Sequence, residues 1–105
     1  MKKVFTLLAS ILLLLTVCVS SIAAPEPIVI GFITALTGST SLWGTQERNG
    51  AVLAAEEINA KGGILGRPIK LIVYDHKGQP AEGVSAYRRL VDEDKAVVVG
   101  GTHFS

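Results

Sequence analysis

The sequence predicts an α/β protein, specifically a β-α-β-α-β portion of a doubly wound parallel sheet, incomplete, behind a separate apolar leader. Three observations carry this expectation. Short apolar runs recur at 28–33, 69–74 and 96–99, without the polar alternation of a half-exposed strand, as befits parallel strands covered on both faces. Segments with helical spacing lie between them. Loops rich in glycine and hydroxyl residues follow the first and third runs, where an open parallel sheet places its ligand.

The leader comes first. Lys2 and Lys3 precede an apolar run from Val4 to Val19, broken only by Thr6, Ser10 and Thr16, and then comes the Ser/Ala-rich stretch Ser20 to Ala24. This is the three-part layout of a secretory signal peptide. The run is shorter than the roughly 20 apolar residues that span a bilayer, so export is expected rather than permanent anchoring. Cleavage after Ala23 would use Ser21 and Ala23 as the small positions, giving residues 1–23 as signal peptide and 24–105 as a partial α/β lobe. The single cysteine, Cys18, follows Leu15-Thr16-Val17. That resembles a lipoprotein signal except that Val17 stands where a small residue is usual, so an apolar filler in a discarded leader is the favoured reading and lipid attachment the alternative.

In the mature region, the first strand is expected at Ile28 to Phe32, with Gly31 admitting a close neighbour. Thr34 to Gly44 reads as a loop. A helix from about Thr45 should bury Ala51, Ala54, Ala55 and Ile58 and expose Glu47, Arg48, Glu56 and Glu57. Gly62 and Gly63 end it, since glycine accepts the left-handed conformation past a last turn. Ile69 to Tyr74 is the second strand, ending at Asp75. Pro80 opens a second helix whose inner stripe is expected at Val84, Tyr87, Leu90 and Val91, with Arg88, Arg89, Asp92 and Glu93 outside. Ala96 to Val99 is the third strand. The run Gly62 to Gly66 looks at first like a phosphate loop, but it follows a helix and precedes a strand, the reverse of the dinucleotide fingerprint.

The whole chain carries 10 basic and 9 acidic residues, net +1. Without Lys2 and Lys3 the balance is 8 against 9, net −1, so no basic field exists to attract nucleic acid or acidic lipid. The last residues, Thr102-His103-Phe104-Ser105, fall in a loop just past a strand, which leads to the expectation of a fragment or a truncated gene.

Two motifs carry a resemblance. Leu36-Thr37-Gly38 is followed by Trp43-Gly44, and Glu57 to Gly66 reads E-I-N-A-K-G-G-I-L-G. With the continuation to Gly101 the mature chain resembles the N-terminal part of extracytoplasmic solute-binding proteins of branched-chain amino acid ABC transporters, the leucine-binding-like group with the type I periplasmic binding fold. The resemblance implies a non-enzymatic receptor with two α/β lobes that closes on an amino acid or similar solute and delivers it to a membrane permease. It implies a monomer, exported to the periplasm or cell exterior, with no cofactor and no metal. Trp43 matches the aromatic position bordering the ligand. A serine four residues beyond a glycine closing the third strand binds the solute's α-carboxylate; from Gly101 this is Ser105, with Thr102 as a neighbour, whereas counting from Gly100 gives Phe104.

Plainer readings stand beside these. A lone tryptophan before a helix is often a lid over the core. Asp75 matches a family aspartate, yet an aspartate at a strand end more often holds its own loop. His76 and His103 lack the surrounding pattern of a metal site. Alternative functions are the ectodomain of a signalling receptor, which would show a downstream membrane span, an exported enzyme on an open α/β sheet, for which neither a G-x-S-x-G turn nor a Ser/His/Asp set is visible, and a non-functional gene remnant, whose unpaired edges would aggregate.

Overall fold

The computed structural model of the chain describes residues 1–17 and 23–101, with 11–17 described by backbone only. The elements run α1 (Lys2–Val17), β1 (Ile28–Thr34), α2 (Ser41–Ala60), β2 (Ile69–Asp75), α3 (Pro80–Asp92) and β3 (Val98–Gly101). The strands form one parallel sheet in the order β2-β1-β3, with Ile28 opposite Ile69, Thr34 opposite Asp75, and Ile30 opposite Val98. Among the described residues no helix is long and apolar enough to cross a membrane. Cys18 and Ser21 lie outside the described residues.

The core sits between β1 and α3. Leu90 is fully buried, Ile33 and Ala86 nearly so, and Ile72, Tyr74, Ala96 and Val99 close around them. Gly31 makes this possible, because a Cβ there would stand 2.7 Å from Leu90 Cδ1. The expected α3 stripe is displaced accordingly. Gly83, Ala86 and Leu90 face the sheet, whereas Val84 and Tyr87 are more than half exposed and Val91 is 38% exposed. Leucine seated over glycine sets the rotation of the helix, and the neighbouring apolar positions turn outward.

α2 begins four residues earlier than expected. Its first turn hangs on backbone bonds, the Ser41 N–H donating to Gly38 O (3.2 Å) and the Gly44 N–H to Thr40 O (3.1 Å). Thr40, at the cap position, makes no side-chain capping bond, so the usual sequence signal for a helix start is missing. Gly44 lies so close to the Ala35 backbone that any side chain would collide with it. Farther along, Ala51 and Ala55 are half-buried as expected, but Ala54 and Ile58 are exposed. β1 extends to Thr34, and β3 is shifted to Val98–Gly101 because the Ala96 N–H is taken by Leu90 O at the end of α3 (2.9 Å).

The connection from α2 to β2 follows from its glycines and one asparagine. The Gly63 N–H donates to Ile58 O (2.9 Å) and the Gly62 N–H to Asn59 O (3.1 Å), a Schellman ending with Gly62 at φ 100°. Ile64 and Arg67 then exchange backbone bonds around Leu65 and Gly66, both at positive φ, a primed two-residue turn. The Asn59 side chain accepts from the Ile69 N–H (2.7 Å) and donates to Ile69 O (2.9 Å), so α2 fixes where β2 starts.

Candidate functional site

The loops leaving β1 and β2 lie side by side at the carboxyl edge of the sheet, and two carboxylates hold them. Thr34, 1% exposed, donates its hydroxyl to Glu47 Oε2 at 2.6 Å. Glu47 was expected on the solvent face of its helix; it is instead half-buried and ties the end of β1 to α2. Helical spacing ranked it by polarity alone and had no view of the hydroxyl beneath it.

Asp75 forms the second tie. Its Oδ1 accepts from the N–H of Leu36 (2.9 Å) and of Lys77 (2.8 Å), and its Oδ2 accepts from the Thr37 hydroxyl (2.6 Å). Partial burial pushes the carboxyl pKa up. The Thr37 hydroxyl and the N–H groups of Leu36, Lys77 and Thr37 outweigh that effect and hold it below its ordinary value. The expectation that Asp75 holds its own loop is met at Lys77. Its reach to Leu36 and Thr37 was not foreseen.

His76 is 1% exposed. Its N–H donates to Thr34 O (3.1 Å) and its Nδ1 accepts the Gly78 N–H (3.0 Å), which places it as a structural member of the β2 loop. Lys77 and Gly78, both at positive φ, complete the turn into α3, where Pro80 stands in the first turn as expected. Gly38, at φ 92°, faces the Lys77 carbonyl closely enough that a Cβ there would stand 3.4 Å from its oxygen.

Trp43 stands in the first turn of α2 rather than in the loop, and is 62% exposed. Thr102, His103 and Ser105 fall outside the described residues. Beside α3, the outward Val84 and Tyr87 line an open apolar cavity of about 590 Å³ together with Ile33, Val99 and Gly101. On the opposite flank the Tyr74 hydroxyl donates to Asp94 Oδ2 (2.6 Å), which raises its pKa, while the Arg89 guanidinium lies 4.8 Å from the ring centre.

Comparison with known proteins identifies what the chain resembles. The Leu/Ile/Val-binding protein BraC3 of Rhizobium johnstonii is 46% identical over 77 residues, 73% of this chain and 21% of that protein. The branched-chain amino acid transporter substrate-binding protein LivJ of Streptococcus pneumoniae, solved with isoleucine, superposes with a TM-score of 0.71 at 42% identity over 73% of this chain and 22% of its own. A fatty acid ABC transporter substrate-binding protein of Thermomonospora curvata superposes at 0.66 with 32% identity, covering 70% and 18%. The chain spans about a fifth of the length of the curated relatives it matches. The sheet and the order of its elements are thus held in common with a solute-binding protein of an ABC transporter, a class of receptors rather than enzymes. Residues 27–105 match the family described as periplasmic binding protein, and the chain belongs to that family.

Proposed function

We propose that this chain contributes part of the N-terminal lobe of an exported substrate-binding component of an ABC transporter for branched-chain or other amino acids. The observation that carries the reading is the doubly fastened loop 34–40, set at the carboxyl edge of the sheet where parallel α/β folds bind ligands, in a chain 42% identical to an isoleucine-bound receptor. Trp43 borders the solute, and the hydroxyls of Ser105 and Thr102 with nearby N–H groups receive its α-carboxylate. Contacts from a second lobe complete the grip, so that solute stabilises a closed form that a membrane permease recognises. The receptor works as a monomer. Its leader directs export and is removed after Ala23, which N-terminal sequencing of the exported product, beginning at Ala24, checks.

Because the solute is held from both lobes, the 105-residue chain alone binds weakly or not at all, and tight saturable binding by it in a titration refutes that division of contacts. The receptor reading is tested by a transplant. The matching 77-residue segment of the Rhizobium protein is replaced by the segment of this chain, and the chimera is titrated calorimetrically with leucine, isoleucine, valine and a long-chain fatty acid. Saturable binding of a branched-chain amino acid is expected. A folded chimera that binds none of the amino acids defeats the reading, and one that binds only the fatty acid redirects it to another solute class.

A further inference from the structure

We propose that Asp75 is a positioning residue for solute binding, a clasp that locks the loop after β1 to the loop after β2 and so sets where residues 36–40 and the first turn of α2 stand. This rests on the receptor reading for its functional meaning. A purely local role, in which an aspartate steadies its own turn, accounts for one bond only, that from the Lys77 N–H two residues on. The other two donors, the Leu36 N–H and the Thr37 hydroxyl, come from 39 and 38 residues away in sequence.

The clasp sits where the ladder ends. Thr34 and Asp75 are the last paired residues of β1 and β2, and beyond them neither loop has strand pairing to hold it. Thr34 is bonded to Glu47 at one end of the loop, and Ser41 to the Gly38 carbonyl at the other. Between those points, Asp75 is the side chain that pins the loop, and three donors occupy both of its oxygens. A carboxylate so engaged acts on the solute through the loop it holds. The first turn of α2 hangs from Gly38 and Thr40, so the setting of Trp43 follows from the clasp.

Amide hydrogen exchange by NMR on the full chain tests this, with D75A, D75N, T37V and T37S. In D75A the Leu36 and Lys77 amides lose their acceptor, and their exchange accelerates by about tenfold or more relative to amides of the β1–β2 ladder. D75N restores most of the protection, since an asparagine oxygen still accepts from both N–H groups and its NH₂ donates to the Thr37 oxygen. T37V loosens Leu36 and T37S does not. The emission of Trp43, the only tryptophan, becomes more accessible to a collisional quencher in D75A and recovers in D75N. The proposal is overturned if Leu36 exchange is unchanged in D75A, or if the ladder amides accelerate as much as Leu36, which would make Asp75 a determinant of global stability. Should D75A fail to fold, an unchanged Leu36 rate in T37V overturns it equally. These readouts involve no solute, so their failure is distinguishable from a failure of the receptor reading in the chimera.

Discussion

Replacing Gly31 by alanine puts a methyl group where Leu90 already stands. The new Cβ would lie 2.7, 3.0 and 3.1 Å from Leu90 Cδ1, Cδ2 and Cγ, against an optimum of about 3.5–4.0 Å between carbons. Leu90 has no exposed surface and is enclosed by Ile33, Ala86, Ile72, Tyr74, Ala96 and Val99, so it has no solvent-facing rotamer to take up. Overpacking of this kind costs about 1–3 kcal/mol. L90A, which empties the same space, costs about 2–5 kcal/mol. In the double variant the methyl group introduced by G31A occupies part of the vacated volume, so its cost falls short of the sum of the single costs by about 1 kcal/mol or more. Urea unfolding followed by far-UV circular dichroism gives the four values needed for the cycle, provided that the slope m is unchanged across the variants. Additive costs, within about 0.5 kcal/mol, would show that Gly31 and Leu90 are not coupled and that the α3 rotation has another cause.

Three further outcomes follow from the hydrogen bonding. N59A removes both amide bonds to Ile69, which is 8% exposed, and lowers stability by about 1–3 kcal/mol in the same unfolding assay; a loss under a few tenths would mean that water replaces the asparagine. On the acid side, the folded pKa of Asp75 lies below its unfolded value of 3.8, so its stabilising contribution is present above that value and is lost as pH falls through the folded pKa. D75N abolishes that part of the acid limb. On the alkaline side, Tyr74 is raised above 10.0 chiefly by its bond to Asp94, so its contribution is complete below that value and is lost as pH climbs through the folded pKa. Y74F flattens that limb, and an unaltered alkaline profile in Y74F would rule the bond out as its cause.

Much of this architecture was legible because it depends on short-range rules. Three unalternating apolar runs specify parallel strands, although β3 is largely exposed, with Val98 at 55%, rather than covered on both faces; Gly62-Gly63 after an alanine-rich segment specifies a helix end, and Pro80 marks a helix start. What escaped the sequence depends on contacts between distant residues. Ser41 opens α2 through backbone bonds alone, with no capping side chain to announce it. Val84 and Tyr87 look as apolar as Leu90, and only the gap above Gly31 decides which of them is buried. Glu47 and Asp75 were each visible as carboxylates, but Glu47 was assigned to the wrong face, and the partners of Asp75 in the first loop come into range only once β1 and β2 pair. For the candidate site, Leu36-Thr37-Gly38 is legible as a motif, whereas the carboxylates that hold its loop, Asp75 and Glu47, act across 39 and 13 residues of sequence and become apparent only in the folded chain.

β1, the first strand in sequence, is also the middle strand of the three-stranded sheet formed by the described residues. Ile28 pairs with Ile69 and Ile30 with Val98, so β1 waits for partners far downstream on both sides. A nascent chain that has emerged only through α2 has no strand with which to pair, and its most apolar segment stays unpaired until Ile69–Asp75 follows. Loop closure over such separations makes sheet formation a late and comparatively slow event. During that interval the first strand remains without a partner, because the order of strands in the sheet differs from their order of synthesis.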